Sequence, residues 1–248
     1  MTTRRPIFIG GMVRSGATLL RNILGQHRTI ALGQDTNWFE WDWKRRLLPD
    51  MQHTLASLAR YFDVNADDTR VLAQYLGSPE VFLTILMEEL ARREGKERWV
   101  ERTAGNVAHM DRIWRAFPGA QIIQITRDPR DIFASLLESQ KCESISEFAD
   151  TWAATIGASD NLMRSLKPAP QSYMVVRYED LVGATGPTIR RIIDFLGEPW
   201  DKVMKTAITD DRVGIWRRIL TDQDIAEMQR AITDRGFGEL YKRVLLAA

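Results

Sequence analysis

Apolar residues in this chain gather in short unbroken runs separated by longer amphipathic stretches. Pro6-Ile7-Phe8-Ile9-Gly10-Gly11 is one such run, and its length and glycine ending predict a buried strand over 6–11. Residues 17–26 then place Leu19, Leu20, Ile23 and Leu24 at helical spacing. Strand, glycine turn and helix together open a β-α-β unit. Residues 121–126 and 172–178 predict two more strands, and 99–103 a short one. Helices are expected over 52–94, with a break near Ser78-Pro79, and over 106–117, where Pro118-Gly119 is the stop signal. Asp128-Pro129 opens a further helix to about Ser139, with proline suited to its first turn. The same periodicity predicts helices at 145–166, 187–196 and 222–234. Residues 27–50, with Trp38, Phe39, Trp41 and Trp43, follow neither period and receive no element.

Strands alternating with helices predict a parallel α/β sheet with helices on both faces. No linker, repeat or low-complexity stretch divides the chain, so residues 1–248 are expected to form one domain. With 34 basic and 33 acidic residues the formal charge is +1, which selects neither nucleic acid nor an anionic membrane. Any anion must therefore be held by locally placed cations. The single cysteine, Cys142, excludes an internal disulfide and fits a reducing compartment. The three histidines, His27, His53 and His109, lack zinc-ligand spacing, and no metal is expected. The first apolar run is too short for a signal-peptide core, and no stretch approaches the ~18 apolar residues of a membrane span. A cytoplasmic chain with no membrane span is the expectation.

Chemistry concentrates after the first strand, in Gly10-Gly11-Met12-Val13-Arg14-Ser15-Gly16-Ala17-Thr18. Gly11 and Gly16 have the spacing of a phosphate-cradling loop between strand and helix, where backbone N–H groups and the helix dipole favour an anion. The lysine that an NTPase or kinase uses on its phosphates is replaced by Ala17, and a cation stands three residues earlier as Arg14. The strand at 121–126 runs into Thr126-Arg127, leaving no Walker-B acid there for Mg²⁺. Arg127 stands at the carboxyl end of its strand, where open parallel sheets bind ligands. Ser135 follows two helical turns later, so the pair can grip a second phosphate, Arg127 through a charge-assisted fork. The plainer alternative is that Arg127 pairs with Asp131 or Asp128 at a helix start.

Taken together, Arg14-Ser15-Gly16-Ala17-Thr18-Leu19-Leu20 resembles the phosphosulfate loop of sulfotransferases that use 3'-phosphoadenosine 5'-phosphosulfate, PAPS. Arg127-Asp128-Pro129-Arg130-Asp131 with Ser135 resembles the family's 3'-phosphate motif. Glu101-Arg102-Thr103, Arg177-Tyr178-Glu179-Asp180-Leu181, Phe195-Leu196-Gly197 and Arg212-Val213-Gly214-Ile215-Trp216-Arg217 resemble further family segments. The architecture is similar to the bacterial and tyrosylprotein-type branch. The resemblance implies a P-loop-like α/β fold, PAPS as donor and no metal. Residues Arg14, Ser15, Gly16, Ala17 and Thr18 would then hold the 5'-phosphosulfate, and Arg127 and Ser135 the 3'-phosphate. Tyr178, Arg212 and Gly214 would stand near the nucleotide. Two positions depart from the family pattern: Ala17 removes a hydroxyl donor, and Arg102 replaces a lysine.

Sulfuryl transfer to a hydroxyl needs a base for the acceptor and cations for the leaving phosphate. Arg14 and Arg102 suit the second task. For the first, Asp35-Thr36 stands where tyrosylprotein-type relatives carry a glutamate and threonine, and Glu40 and His27 are the rivals. The acceptor could be a small molecule, a carbohydrate or a tyrosyl peptide. The competing readings are a nucleotide or small-molecule kinase and a nonenzymatic nucleotide-binding module.

Overall fold

The computed structural model describes residues 5–33, 35–40, 79–142, 144–204 and 212–246. Five parallel strands form its sheet: β1 (Ile7–Gly10), β2 (Ile30–Leu32), β3 (Arg98–Arg102), β4 (Gln121–Thr126) and β5 (Tyr173–Arg177), in the order β2-β3-β1-β4-β5. Every pairing is parallel; β1 is central, with Ile9 opposite Arg102 on one side and Ile123 on the other. The helices that follow the strands are α1 (Ala17–Leu24), α2 (Pro79–Arg93), α3 (Met110–Ala116), α4 (Pro129–Glu138), α5 (Ile145–Trp152) and α6 (Ala158–Leu166). After β5 come α7 (Tyr178–Gly183), α8 (Thr185–Leu196), α9 (Trp216–Ile219), α10 (Asp222–Asp234) and α11 (Gly238–Leu246).

Strand periodicity sorts the core into two layers. Phe8 and Ile122 face one way, against Leu83, Met87 and Leu90 of α2 and Ile113 of α3. Ile7, Ile9, Ile123 and Ile125 face the other way, against Leu20, Ile23 and Leu24 of α1 and Ile189, Ile192 and Ile193 of α8. A third cluster joins Ile132, Phe133 and Leu136 of α4 to Phe148 and Trp152 of α5 and to Met228 and Tyr241 beyond. Helices thus cover both faces, as the alternating pattern predicts.

Four details differ from the sequence reading. Ile30-Ala31-Leu32 is a strand within the stretch that shows no period; three residues are too few to display one. The expected helix at 106–117 is a 3₁₀ turn, Ala104–His109, followed by α3. The helix expected over 145–166 is broken by a π segment at Ala153–Gly157. Tyr178 begins α7 rather than ending β5. The helical reading over 52–78, and Trp41, Trp43 and His53, lie outside the described residues. Among the described residues, no helix is long and apolar enough to cross a membrane.

The amino ends of the strands are closed by a buried polar lock. Arg98, 3% exposed, donates Nε to Arg5 O at 2.5 Å, and Nη1 to Leu196 O at 2.9 Å and Glu198 Oε1 at 3.1 Å. Its Nη2 donates to Gln121 Oε1. A buried charge needs such full pairing to be tolerated. The carboxyl ends are left to the loops that carry the candidate site.

Candidate functional site

The loop after β1 is shaped by what its neighbours exclude. Gly11 donates its N–H to Ala104 O at 2.9 Å, and a side chain there would meet Ile125 O at 2.2 Å. Gly16 has φ 98°, and a Cβ would lie 2.5 Å from Cδ2 of Tyr178, so both the backbone and the contact demand glycine. Arg14 also has positive φ, 71°. For a residue with a Cβ this costs about 1–2 kcal/mol, a strain that clusters at functional sites. Ala17 then begins α1, whose first N–H groups point into the loop. Ser15 is fully buried, and its Oγ has no partner.

Arg127, where β4 ends, lies under this loop. Its Nη1 donates to Arg14 O at 3.0 Å and its Nη2 to Arg212 O at 2.5 Å, while its Cζ stands 4.4 Å over the Tyr178 ring. Arg14 reaches back with Nε to Ser135 Oγ at 2.9 Å. Asp131 is 3.9 Å from Arg127 but accepts the N–H groups of Gly214, at 2.8 Å, and Trp216, at 3.1 Å. With Arg130 stacked 4.1 Å over Trp216, it fastens the 212–217 segment to α4. Asp128 instead pairs with Arg130 and caps α4. The Gly214 N–H is therefore committed to Asp131, and the residue turns the chain at φ 75°. Arg212 pairs with Glu138 at 3.1 Å.

Arg102 ends β3 and forms an ion pair through Nη2 with Asp35 Oδ2; Nη1 of Arg21 stands 4.0 Å from Oδ1. Burial pushes the Asp35 carboxyl above the usual aspartate range, even though Arg102 and Arg21 pull it down. Glu40 sits against Gly105, and burial, with the like charge of Asp35, raises its carboxyl too. His27 is fully buried, with Nε2 2.9 Å from Pro199 O and Nδ1 accepting the Thr29 N–H at 3.2 Å. Both of its ring nitrogens are engaged in the fold.

These elements enclose a cavity of about 580 Å³ above the carboxyl ends of the strands. Arg14, Gly16, Ala17 and Thr18 line one part of it; Arg127, Ser135, Tyr178 and Arg212 another; Asp35 and Arg102 a third. Ser15 stands behind the lining, while Gly214, Glu40 and His27 do not line it. Asn37 and Lys141 line it as well, and the sequence reading singled out neither. No motif marks them; a scan for polar residues next to the proposed base would have found Asn37. The Nε atoms of Arg102 and Arg127 are buried without partners, as is the Ser15 hydroxyl. Buried donors left open beside a cation-rich cavity fit an anionic ligand.

A family model described as the sulfotransferase family matches residues 6–202. The protein-tyrosine sulfotransferase of Drosophila melanogaster is 24% identical over 202 residues. That match covers 79% of this chain and 38% of the relative, so the chain spans well under half the length of that protein. Among solved structures, the sulfotransferase domain of the Synechococcus PCC 7002 olefin synthase superposes with a TM-score of 0.65 at 17% identity, over 95% of this chain and 97% of that one. Mouse sulfotransferase SULT7A1, solved in complex with PAP, gives 0.59 at 13% identity, over 98% of this chain and 89% of that one. The structural likenesses establish the P-loop-like α/β fold, and the family match covers the glycine loop, β3, β4 and β5. The chain belongs to the sulfotransferase family.

Proposed function

We propose that the protein transfers a sulfuryl group from PAPS to a hydroxyl acceptor, without a metal ion. The observation that carries this reading is the meeting of Arg14, Arg127 and Ser135 with the Asp35–Arg102 pair around one cavity. The donor supplies an activated sulfuryl group on a phosphate leaving group. The loop N–H groups, Thr18 and Arg14 bind the 5' end, with the Ser15 hydroxyl behind them. Arg127 and Ser135 bind the 3'-phosphate, with Tyr178 beside them. Asp35 takes the proton of the acceptor hydroxyl, and its raised pKa suits it to hold one. Arg14 and Arg102 stabilise the charge that develops on the leaving phosphate. Asn37, beside Asp35, is a polar contact for the acceptor.

The relative from Drosophila is a protein-tyrosine sulfotransferase, which makes a tyrosyl peptide the first acceptor to test. The experiment is incubation with PAPS labelled in its sulfuryl group and a panel of tyrosyl peptide, simple phenol and oligosaccharide. Label should move to at least one hydroxyl, and the Asp35→Asn variant should lose that transfer. Unlabelled acceptors throughout, together with no detectable binding of adenosine 3',5'-bisphosphate, would overturn the reading.

A further inference from the structure

Bonded to the residue after the proposed base is a carboxylate that does not line the cavity. Glu101 is 1% exposed, one residue before Arg102 on β3, so strand alternation turns it inward while Arg102 turns to the cavity. Its Oε1 accepts Thr36 N–H at 3.0 Å, Thr36 Oγ1 at 2.9 Å and Thr103 Oγ1 at 2.5 Å. Its Oε2 accepts Asn106 Nδ2 at 2.6 Å.

Each of these partners is placed to donate. The Thr36 N–H can only donate. The Thr36 hydroxyl accepts from Trp38 N at 3.3 Å and the Thr103 hydroxyl from Asn37 N at 3.0 Å, which leaves each proton for Glu101. Asn106 Nδ2 also faces Ile9 O at 3.0 Å, which fixes its amide orientation. Four donors converging on one group favour the ionised acceptor. Burial works the other way and raises its pKa, so the donors compensate a real desolvation cost.

The network reaches residues 36, 37 and 38 of the segment that carries Asp35, and ties them to β3 and, through Asn106, to β1. We infer that Glu101 is the positioning residue for Asp35: it holds the 35–37 segment at the height where the Asp35 carboxylate meets Arg102 and faces the cavity. This rests on the reading of Asp35 as the base. Glu101 touches no part of the cavity, so it acts only through the segment it holds.

The test is a double-mutant cycle read in kcat, with PAPS as donor and the best acceptor from the panel, or water if none is used. Glu101→Gln keeps the shape, but its amide must set an N–H against Asn106 or against Thr36. Thr36→Val removes one donor without altering charge, and Thr36→Ser retains it. Glu101→Gln and Thr36→Val should each lower kcat about tenfold or more, Thr36→Ser should stay near the parent, and affinity for adenosine 3',5'-bisphosphate should change less than threefold. In the Asp35→Asn background the first two substitutions should cost nothing further. Additive losses in that background, or equal losses of kcat and bisphosphate affinity, would overturn the inference while leaving Asp35 as the base. An Asp35→Asn variant with parental kcat would overturn both. If Glu101→Gln fails to fold, Thr36→Val carries the cycle. A readout free of turnover is the carbon-13 titration of the Asp35 carboxyl, assigned by its loss in Asp35→Asn. Thr36→Val should move its midpoint by roughly half a pH unit; an unmoved midpoint would sink the inference.

Discussion

The Nε of Arg14 donates to the hydroxyl of Ser135 at 2.9 Å, across 121 positions of sequence. Arg127 returns the connection through its Nη1 to Arg14 O at 3.0 Å. The two basic segments are thereby one framework, in which each arginine is oriented by the other's segment before any ligand arrives.

That framework predicts donor choice. Adenosine 3',5'-bisphosphate should bind at least about tenfold more tightly than AMP, since a charge-assisted hydrogen bond contributes about 1.5–3 kcal/mol. Arg127→Ala or Ser135→Ala should erase most of the difference. Isothermal titration that found equal affinities for the two nucleotides in the parent would remove the 3'-phosphate assignment.

Asp35 predicts a rate effect with a pH signature. Asp35→Asn keeps the shape and removes the basicity, and should lower kcat about 10²–10⁴-fold while bisphosphate affinity stays close to the parent. A carboxylate base works only when ionised, and burial raises the Asp35 pKa above that of an ordinary aspartate, about 3.9. The rate should therefore fall as pH drops through that raised value, and the acid limb should vanish in Asp35→Asn. A parental kcat in this variant, with Glu40→Gln inactive instead, would move the role to Glu40.

Gly16 gives a steric prediction. At φ 98°, with a Cβ only 2.5 Å from Tyr178, Gly16→Ala must displace the ring or the loop. A loop that relaxes to avoid this strain must take it up again on binding, and the left-handed backbone alone costs about 1–2 kcal/mol, close to a decade in affinity. Bisphosphate binding should weaken about tenfold or more while most of the thermal stability is kept. Unchanged binding would mean the loop is not the phosphate cradle.

Metal independence is the last expectation. Ala17 stands where a kinase has its lysine, and Thr126-Arg127 where a Walker-B acid would be. Turnover should survive EDTA. Loss of activity on chelation, with recovery on adding Mg²⁺, would favour the kinase reading.

The strands were legible because Ile7-Phe8-Ile9 and Ile122-Ile123 with Ile125 are buried on both faces, so their apolar runs are unbroken. β2 was not, since Ile30-Ala31-Leu32 gives only three positions of signal. The loop after β1 was legible because Gly11 and Gly16 stand a few residues apart, and the fold requires glycine at both. What escaped is long-range. Nothing near Thr36 announces that Glu101, 65 residues later, accepts its N–H and its hydroxyl. Likewise Asp131 resembles a helix-start partner for Arg127, whereas it mainly holds Gly214 and Trp216. Such pairings are decided by the fold and leave no local pattern.

The third strand has a consequence for how this protein can change. Arg98 at its start and Arg102 at its end lie about 13 Å apart at ~3.3 Å per residue. Arg98 is enclosed by main-chain carbonyls and Glu198, and Arg102 opens on the cavity. Injury at the lower end should appear as lost folding, and injury at the upper end as lost turnover with the fold retained. The upper rim is then free to be remodelled toward new acceptors, by selection or by design, on a base whose integrity does not depend on what the rim binds.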